Sequence, residues 1–203
     1  MPKKDQLKTY RTRRNLEKSG EPAGKTVKKR TKKKPIFVIQ RHDATREHYD
    51  VRLEIDGVLK SWAVPKGPSL DPKIKRLAAP TDDHPMEYAQ FEGVIPEGNY
   101  GAGTVMVWDY GTFDNIKREK GKLIPLYKSY ENGQVEFFLH GKKLQGGFAL
   151  IKTHFSDKDY WLLIKMRDEF ASATKNPVKN QTKSAKTGRT MKQITKESVN
   201  DEN

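Results

Sequence analysis

His48-Tyr49-Asp50-Val51-Arg52-Leu53-Glu54-Ile55-Asp56-Gly57-Val58-Leu59-Lys60-Ser61-Trp62-Ala63-Val64 is the stretch that decides the fold. Side chains of a β-strand alternate between two faces, so residues 48–55 divide into two sets. Tyr49, Val51, Leu53 and Ile55 make an apolar face suited to a core. His48, Asp50, Arg52 and Glu54 make the opposite face, with ~7 Å between alternate Cα atoms. Asp56-Gly57 is a two-residue hairpin signal, and residues 58–64 are the return strand. His42 lies a short loop upstream and can fold back onto the polar face.

Outward from this hairpin the pattern remains strand and turn. Residues 36–40 predict a short apolar strand. Pro65-Lys66-Gly67-Pro68 ends the hairpin, and a long loop runs to about Asp83. Residues 87–92 predict a strand, 93–103 a turn-rich loop, and 104–109 a strand closed by a Tyr110-Gly111 turn. Residues 115–120 are weakly helix-like. Residues 134–139, 147–153 and 160–166 predict three further strands. Short strands with evenly spaced turns imply a mainly β fold, a compact antiparallel β-barrel of about eight strands, with a sandwich as the alternative. Trp62, Trp108 and Trp161 fall within strands and are assigned to the core. His140 and His154 lie at strand ends and are read as structural.

The net charge of +14 is unevenly spread. Residues 1–34 carry 14 Lys+Arg against 3 Asp+Glu, residues 35–170 carry 19 against 20, and residues 171–203 carry 7 against 3. This predicts a basic N-terminal arm over 1–34, a short basic helix or an extended segment around Leu7, Tyr10 and Leu16, a nearly neutral folded domain over 35–170, and a basic, mostly disordered tail over 171–203 with a marginal helix as the alternative. Basic arms around a neutral core suit a polyanion, nucleic acid first, or simply aid solubility. The chain lacks an apolar run long enough to span a bilayer and lacks a signal-peptide-like start. Without cysteine it has no disulfides and no thiolate zinc site, so any metal must be held by His and carboxylate.

His42, His48 and Asp50 offer two imidazoles and one carboxylate, a set suited to manganese, zinc or iron. A solvated strand face is the alternative reading of the same residues. Arg46 and Arg52 adjoin them with cations that can balance phosphate charge. His84-Pro85-Met86-Glu87-Tyr88 ends a polar loop; its His and Tyr can serve acid–base or hydrogen-bonding roles, or simply form a turn packed on the core. Lys66 and Arg76 flank that loop as potential phosphate contacts or solvated cations. Arg14 and Glu21 in the arm are equally open. The loop 93–103 lacks the Gly-Lys-Ser/Thr ending of a Walker-type phosphate loop.

Four stretches carry a family resemblance: residues 37–53 (FVIQRHDATREHYDVRL), 61–72 (SWAVPKGPSLDP), 83–89 (DHPMEYA) and 91–103 (FEGVIPEGNYGAG). Over about residues 7–170 the chain resembles the 3′-phosphoesterase domain of bacterial DNA ligase D, in a free-standing form. The resemblance implies a β-barrel with its site in a crescent on the surface. It implies manganese, or another divalent metal such as zinc or cobalt, held by His42, His48 and Asp50. Arg52, His84 and Tyr88 would engage the scissile phosphate, Lys66 and Arg76 would support activity, and Arg14 and Glu21 would contribute from the arm. Asn15 departs from the family, which usually has an acidic residue there.

The expected activity is healing of nucleic-acid 3′ ends. A terminal ribonucleoside is removed to leave a 3′-phosphate, which is then hydrolysed to a 3′-hydroxyl. The alternative is a non-catalytic end-binding module. DNA or RNA–DNA primer 3′ ends are the expected partners, together with a separately encoded ligase, polymerase and end-binding protein. A cytoplasmic, nucleoid-associated prokaryotic monomer is expected, with no membrane contact.

Overall fold

The computed structural model describes residues 5–24, 34–153 and 159–200. In chain order these form α1 (Lys8–Arg13), α2 (Leu16–Ser19), β1 (Ile36–Asp43), β2 (His48–Ile55), β3 (Val58–Val64) and β4 (Lys75–Pro80). A 3-10 helix (Met86–Gln90) and β5 (Gly93–Ile95) follow, then β6 (Gly103–Asn115), β7 (Arg118–Glu119), β8 (Lys122–Leu123) and α3 (Leu126–Glu131). The chain continues through β9 (Gln134–Gly141), β10 (Gln145–Lys152), β11 (Trp161–Lys165), α4 (Pro177–Asn180) and α5 (Met191–Asn200). The antiparallel order β1-β2-β3-β4-β11-β10-β9-β6 returns to β1, closing a barrel of eight strands, and β5 adds to the outer side of β6. This is the barrel expected from the strand pattern, not the sandwich.

Two apolar layers hold it. The barrel interior packs Phe37, Ile39, Tyr49, Val51, Leu53, Ile55 and all three tryptophans. This is the face predicted from alternation along residues 48–55. A second layer lies outside the wall and joins Tyr10, Val38, Leu59, Tyr88, Ala89 and Val107. Between the layers runs the polar face of β1, β2 and β3. Glu54 leaves that face to accept the Ile36 backbone N–H at 2.9 Å, securing the start of β1.

Several local expectations are corrected. The loop before Asp83 contains β4, which pairs with both β3 and β11 and is required for closure. Residues 86–90 form a 3-10 helix where a strand was expected: Pro85 is its N-cap, and Tyr88 and Ala89 bury together in the outer layer. Adjacent residues cannot share one face of a strand, but they can share one side of a tight helix. The helix-like reading of 115–120 gives way to the β7–β8 hairpin, turned at Lys120 and Gly121 with φ of 48° and 77°. The nearby helix is α3, which begins after Pro125.

β6 also continues through the expected Tyr110-Gly111 turn. Gly111 marks a close approach there, since a Cβ on it would stand 2.1 Å from the His140 carbonyl oxygen. A register shift opposite Ile39/Gln40 resets the alternation of β6, so Trp108 and Phe113 both reach the core.

The two terminal segments differ most from expectation. Residues 5–24 pack on the barrel, with Leu7 and Tyr10 each at most 2% exposed, and α1 is the short basic helix, one of the two readings of this segment. The basic run 28–34 lies outside the described residues except Lys34, which pairs with Asp114 at 2.9 Å. His154 likewise lies outside them. The segment expected to be a mostly disordered tail folds through residue 200. Its Ile194 enters the barrel core, and the Gln181 carbonyl accepts the Trp108 indole N–H at 2.7 Å. Low overall hydrophobicity concealed a few well-placed anchors. Ile194→Ala is expected to destabilise the fold by about 2–4 kcal/mol, as for other buried Ile truncations. Urea unfolding checks this, and an unchanged midpoint would contradict the packing of α5.

Candidate metal and phosphate site

The outer face of β1–β3 assembles the site by register. His42 pairs with His48 and Gln40 with Asp50 across β1–β2, while Arg52 pairs with Ser61 across β2–β3. Alternation then puts His42, His48 and Asp50 side by side, with one potential ligand atom from each within 4.8 Å of the others. His48 Nδ1 lies 2.9 Å from the Arg46 carbonyl. Donation there fixes the tautomer and turns the Nε2 lone pair toward the cluster, the usual support for a ligating imidazole. His42 Nε2 is buried and has no hydrogen-bond partner among the described residues. Burial works to raise the pKa of Asp50, but Arg52 and the two imidazoles more than offset it and hold the carboxyl well below its usual range. Two available nitrogens and an ionised carboxylate therefore fit a divalent cation.

Arg52 is 2% exposed and fully oriented. Its Nε donates to Gln40 Oε1 at 2.7 Å, Nη1 to Ser61 Oγ at 2.9 Å, and Nη2 to Asp50 Oδ2 at 3.0 Å. Its Cζ lies 4.9 Å from the centroid of the Tyr88 ring. Gln40 is anchored in turn by donating to the Tyr88 and Phe91 carbonyls at 3.1 and 2.9 Å. A buried guanidinium held this way presents its two remaining N–H donors, one of them 2.8 Å from His84 Nδ1, in fixed directions, as recognition of an oxyanion requires.

His84 enters from the loop, bridged to Leu59 of β3 through backbone hydrogen bonds. Arg14 Nη2 lies 3.2 Å from its Nε2, and the Asp82 carbonyl lies 2.7 Å from its Nδ1. The Arg14 and Asp82 contacts call for a proton on Nδ1, whereas Arg52 Nη1, 2.8 Å from the same nitrogen, can donate only to an unprotonated Nδ1, so no single tautomer satisfies all three. Burial, then the charges of Arg52 and Arg14, push the His84 pKa well below its ordinary value. The imidazole is neutral at pH 7. Burial pushes the Tyr88 hydroxyl well above its usual pKa, so it remains protonated.

The N-terminal segment closes the other side. Arg14 Nε pairs with Glu21 Oε1 at 3.1 Å and Nη1 with Asp82 Oδ2 at 3.3 Å, in surroundings at most 8% exposed. Glu21 Oε2 is buried without a hydrogen-bond partner among the described residues. Asn15 is exposed, and its side chain caps α2 by accepting the Lys18 N–H at 3.4 Å. Aspartate would cap equally well. The departure therefore preserves the turn and removes only a charge next to Arg14.

His42, His48, Asp50, Arg52, His84, Tyr88, Arg14 and Glu21 thus converge. Arg46 is exposed, and its link to the cluster is its backbone carbonyl. Lys66 is exposed beyond the end of β3, and Arg76 stands on β4 opposite Leu163 with its Nε buried and unpartnered among the described residues. Neither hydrogen-bonds to the cluster. His140 pairs at the surface with Asp114 at 2.7 Å. Sequence reasoning missed Gln40, Ser61 and Asp82. The Asp56-Gly57 turn sets 55 opposite 58 and hence 52 opposite 61, so Ser61 was within reach of a register argument.

A His-His-Asp group that could hold a cation and a buried Arg52–His84 pair share one outer wall of the barrel, an arrangement suited to a phosphate ester. The chain belongs to the DNA Ligase D 3′-phosphoesterase domain family, whose model matches residues 40–152. It is 45% identical over 169 residues to the multifunctional non-homologous end joining protein LigD of Pseudomonas aeruginosa, covering 83% of this chain and 19% of that protein. It is 44% identical over 168 residues to the multifunctional non-homologous end joining DNA repair protein LigD of Mycobacterium tuberculosis, covering 83% and 21%. The LigD protein of Mycolicibacterium smegmatis is 42% identical over 168 residues, again covering 83% and 21%. The chain therefore spans about a fifth of the length of these curated relatives.

The neutral His84 makes stability pH-dependent. Its folded pKa lies below its unfolded value of ~6.5, so the unfolded chain binds the extra proton, and stability falls as pH drops below about 6.5. The slope from this group approaches ~1.4 kcal/mol per pH unit. Urea midpoints between pH 8 and 5 should fall more steeply for the wild type than for His84→Asn. Parallel slopes would contradict the neutral assignment.

Proposed function

We propose that this domain is a metal-dependent 3′-end-healing phosphoesterase. It would remove a 3′-terminal ribonucleoside from a DNA or RNA–DNA primer and then hydrolyse the remaining 3′-phosphate to a 3′-hydroxyl. The observation that carries this reading is the shared face of the His42/His48/Asp50 cluster and the Arg52/His84 pair. Family membership and the LigD relatives support it. When bound by His42, His48 and Asp50, a divalent cation, manganese by our reading, would supply Lewis-acid polarisation of a phosphoryl oxygen and an acidified water.

The chain's own groups do the rest. Arg52 receives a phosphoryl oxygen on its uncommitted N–H and offsets the charge that grows there. Tyr88, the π surface beneath it, keeps the guanidinium plane from turning. His84 is neutral in the free site. Burial is the largest cause of its lowered pKa; a phosphate arriving between Arg52 and Arg14 offsets only the smaller share due to those cations, and His84 is our candidate acid for the leaving oxygen. Arg14 and Glu21 contact the substrate from the N-terminal side, with Arg46 at the rim. Lys66 and Arg76 assist from the neighbouring end of the barrel. The basic residues outside 35–170 attract the nucleic-acid backbone without sequence preference, so binding weakens steeply with salt. A ligase, a polymerase and an end-binding protein would use the healed end.

Labelled primers ending in one ribonucleotide or in a 3′-phosphate, incubated with a panel of divalent metals, test the proposal. Stepwise conversion to a 3′-hydroxyl is expected, with His48→Ala and Asp50→Ala reducing turnover at least ~1,000-fold while the near-UV circular dichroism stays native. Tight end binding with no turnover under any metal would instead establish an end-binding module.

A further inference from the structure

One aromatic side chain at the site's rim is left out of the mechanism above. Tyr100 lies in the loop between β5 and β6 and is 47% exposed, whereas Tyr10 and Tyr88 of the outer apolar layer are at most 2% exposed. Its position is fixed from two sides. The next residue, Gly101, backs onto the metal cluster, since a Cβ there would lie 3.9 Å from His42 Cε1. On the other side the Arg14 guanidinium lies 4.9 Å from the Tyr100 ring centroid while its Nη2 reaches His84. Arg13 approaches the same ring at 5.6 Å. The ring therefore stands at the mouth, between the metal side and the phosphate side.

The loop holds it there. Gly98 and Gly101 adopt φ of 82° and 79°, and Asn99 spans the turn by donating to the Pro96 carbonyl at 3.1 Å. A pre-set ring saves the ordering that a mobile one would lose on binding. An exposed ring with cations against it is the combination that grips unpaired nucleotides: the base stacks on the π face and the cations meet the backbone.

We propose that Tyr100 is the platform on which the base adjoining the scissile phosphate stacks, so that the site grips a nucleoside and not phosphate alone. The inference rests on the 3′-end reading above and deepens it. Base and 3′-phosphate of one nucleotide are joined through a single sugar, which matches a ring placed beside Arg14 and His84. Stacking accepts any base, so Tyr100 confers a preference for base-bearing ends without a sequence preference. The rival role is a strut: the ring would only hold Arg14 and α1 in place.

The test uses the full chain and primers carrying 2-aminopurine, or an abasic sugar, at the nucleotide bearing the 3′-phosphate. Wild type, Tyr100→Trp and Tyr100→Leu are compared by 2-aminopurine fluorescence and by KM and kcat. Binding should quench the fluorescence with the wild type and Tyr100→Trp, and much less with Tyr100→Leu. Tyr100→Leu should raise KM for base-bearing ends by roughly 5- to 100-fold, and its preference for them over abasic ends should vanish. An equal loss on both kinds of end would make Tyr100 a strut and overturn the proposal. If the wild type turns over no primer, the phosphoesterase reading fails, and the quenching alone decides whether Tyr100 stacks. If turnover is normal but Tyr100→Leu quenches like the wild type, only the stacking platform fails.

Discussion

A guanidinium buried outside the barrel wall organises this molecule. Arg52 cannot be desolvated alone, because an unpaired buried charge costs several kcal/mol. Its partners come from β1, β2 and β3 as Gln40, Asp50 and Ser61, with the loop His84 beside them. Each partner needs cover, so a second apolar layer is laid over them by the N-terminal segment and the 3-10 helix. The site and that layer are therefore one construction. Loosening the layer would admit water to Arg52 and free its plane to rotate, even with every polar residue still present.

This arrangement separates two kinds of constraint. The barrel interior is apolar and answers only to packing, while the polar network occupies the outer face of the same strands. Alternation lets one strand serve both demands: Val51 and Leu53 fill the core while Asp50 and Arg52 face the site. The core can vary in volume-conserving ways without moving the chemistry, provided strand register is kept.

Much of this could be read from the residues. Residues 48–64 specify a hairpin, its register and both faces, because alternation and Asp-Gly turns are local rules. The grouping of His42, His48 and Asp50, which could hold a cation, followed from the same alternation plus one short loop. What escaped was set by distant partners. β4 is short and buries only Ala78 fully, and it is a strand because β3 and β11 flank it. Gly111 reads as a turn until the His140 carbonyl is found against it. The terminal segments read as unpacked because composition averages over many polar residues, while Tyr10 and Ile194 do the anchoring. Asp82 and Tyr100 carry no motif chemistry of their own and gain meaning only from Arg14, which reaches both.

The packing of α5 has a further consequence, for solubility. Closing a barrel removes free strand edges, but β5 sits outside the closure and pairs on one side only, with β6. Its other side would offer unpaired backbone groups to any passing strand. α5 lies against both β5 and β6, and the segment before it is tied down by Glu92, which accepts from Ser184, Thr187 and Arg189. The C-terminal segment thus acts as a guard rail against edge-to-edge polymerisation. A chain shortened ahead of it would be exposed to self-association even where the barrel itself still closes.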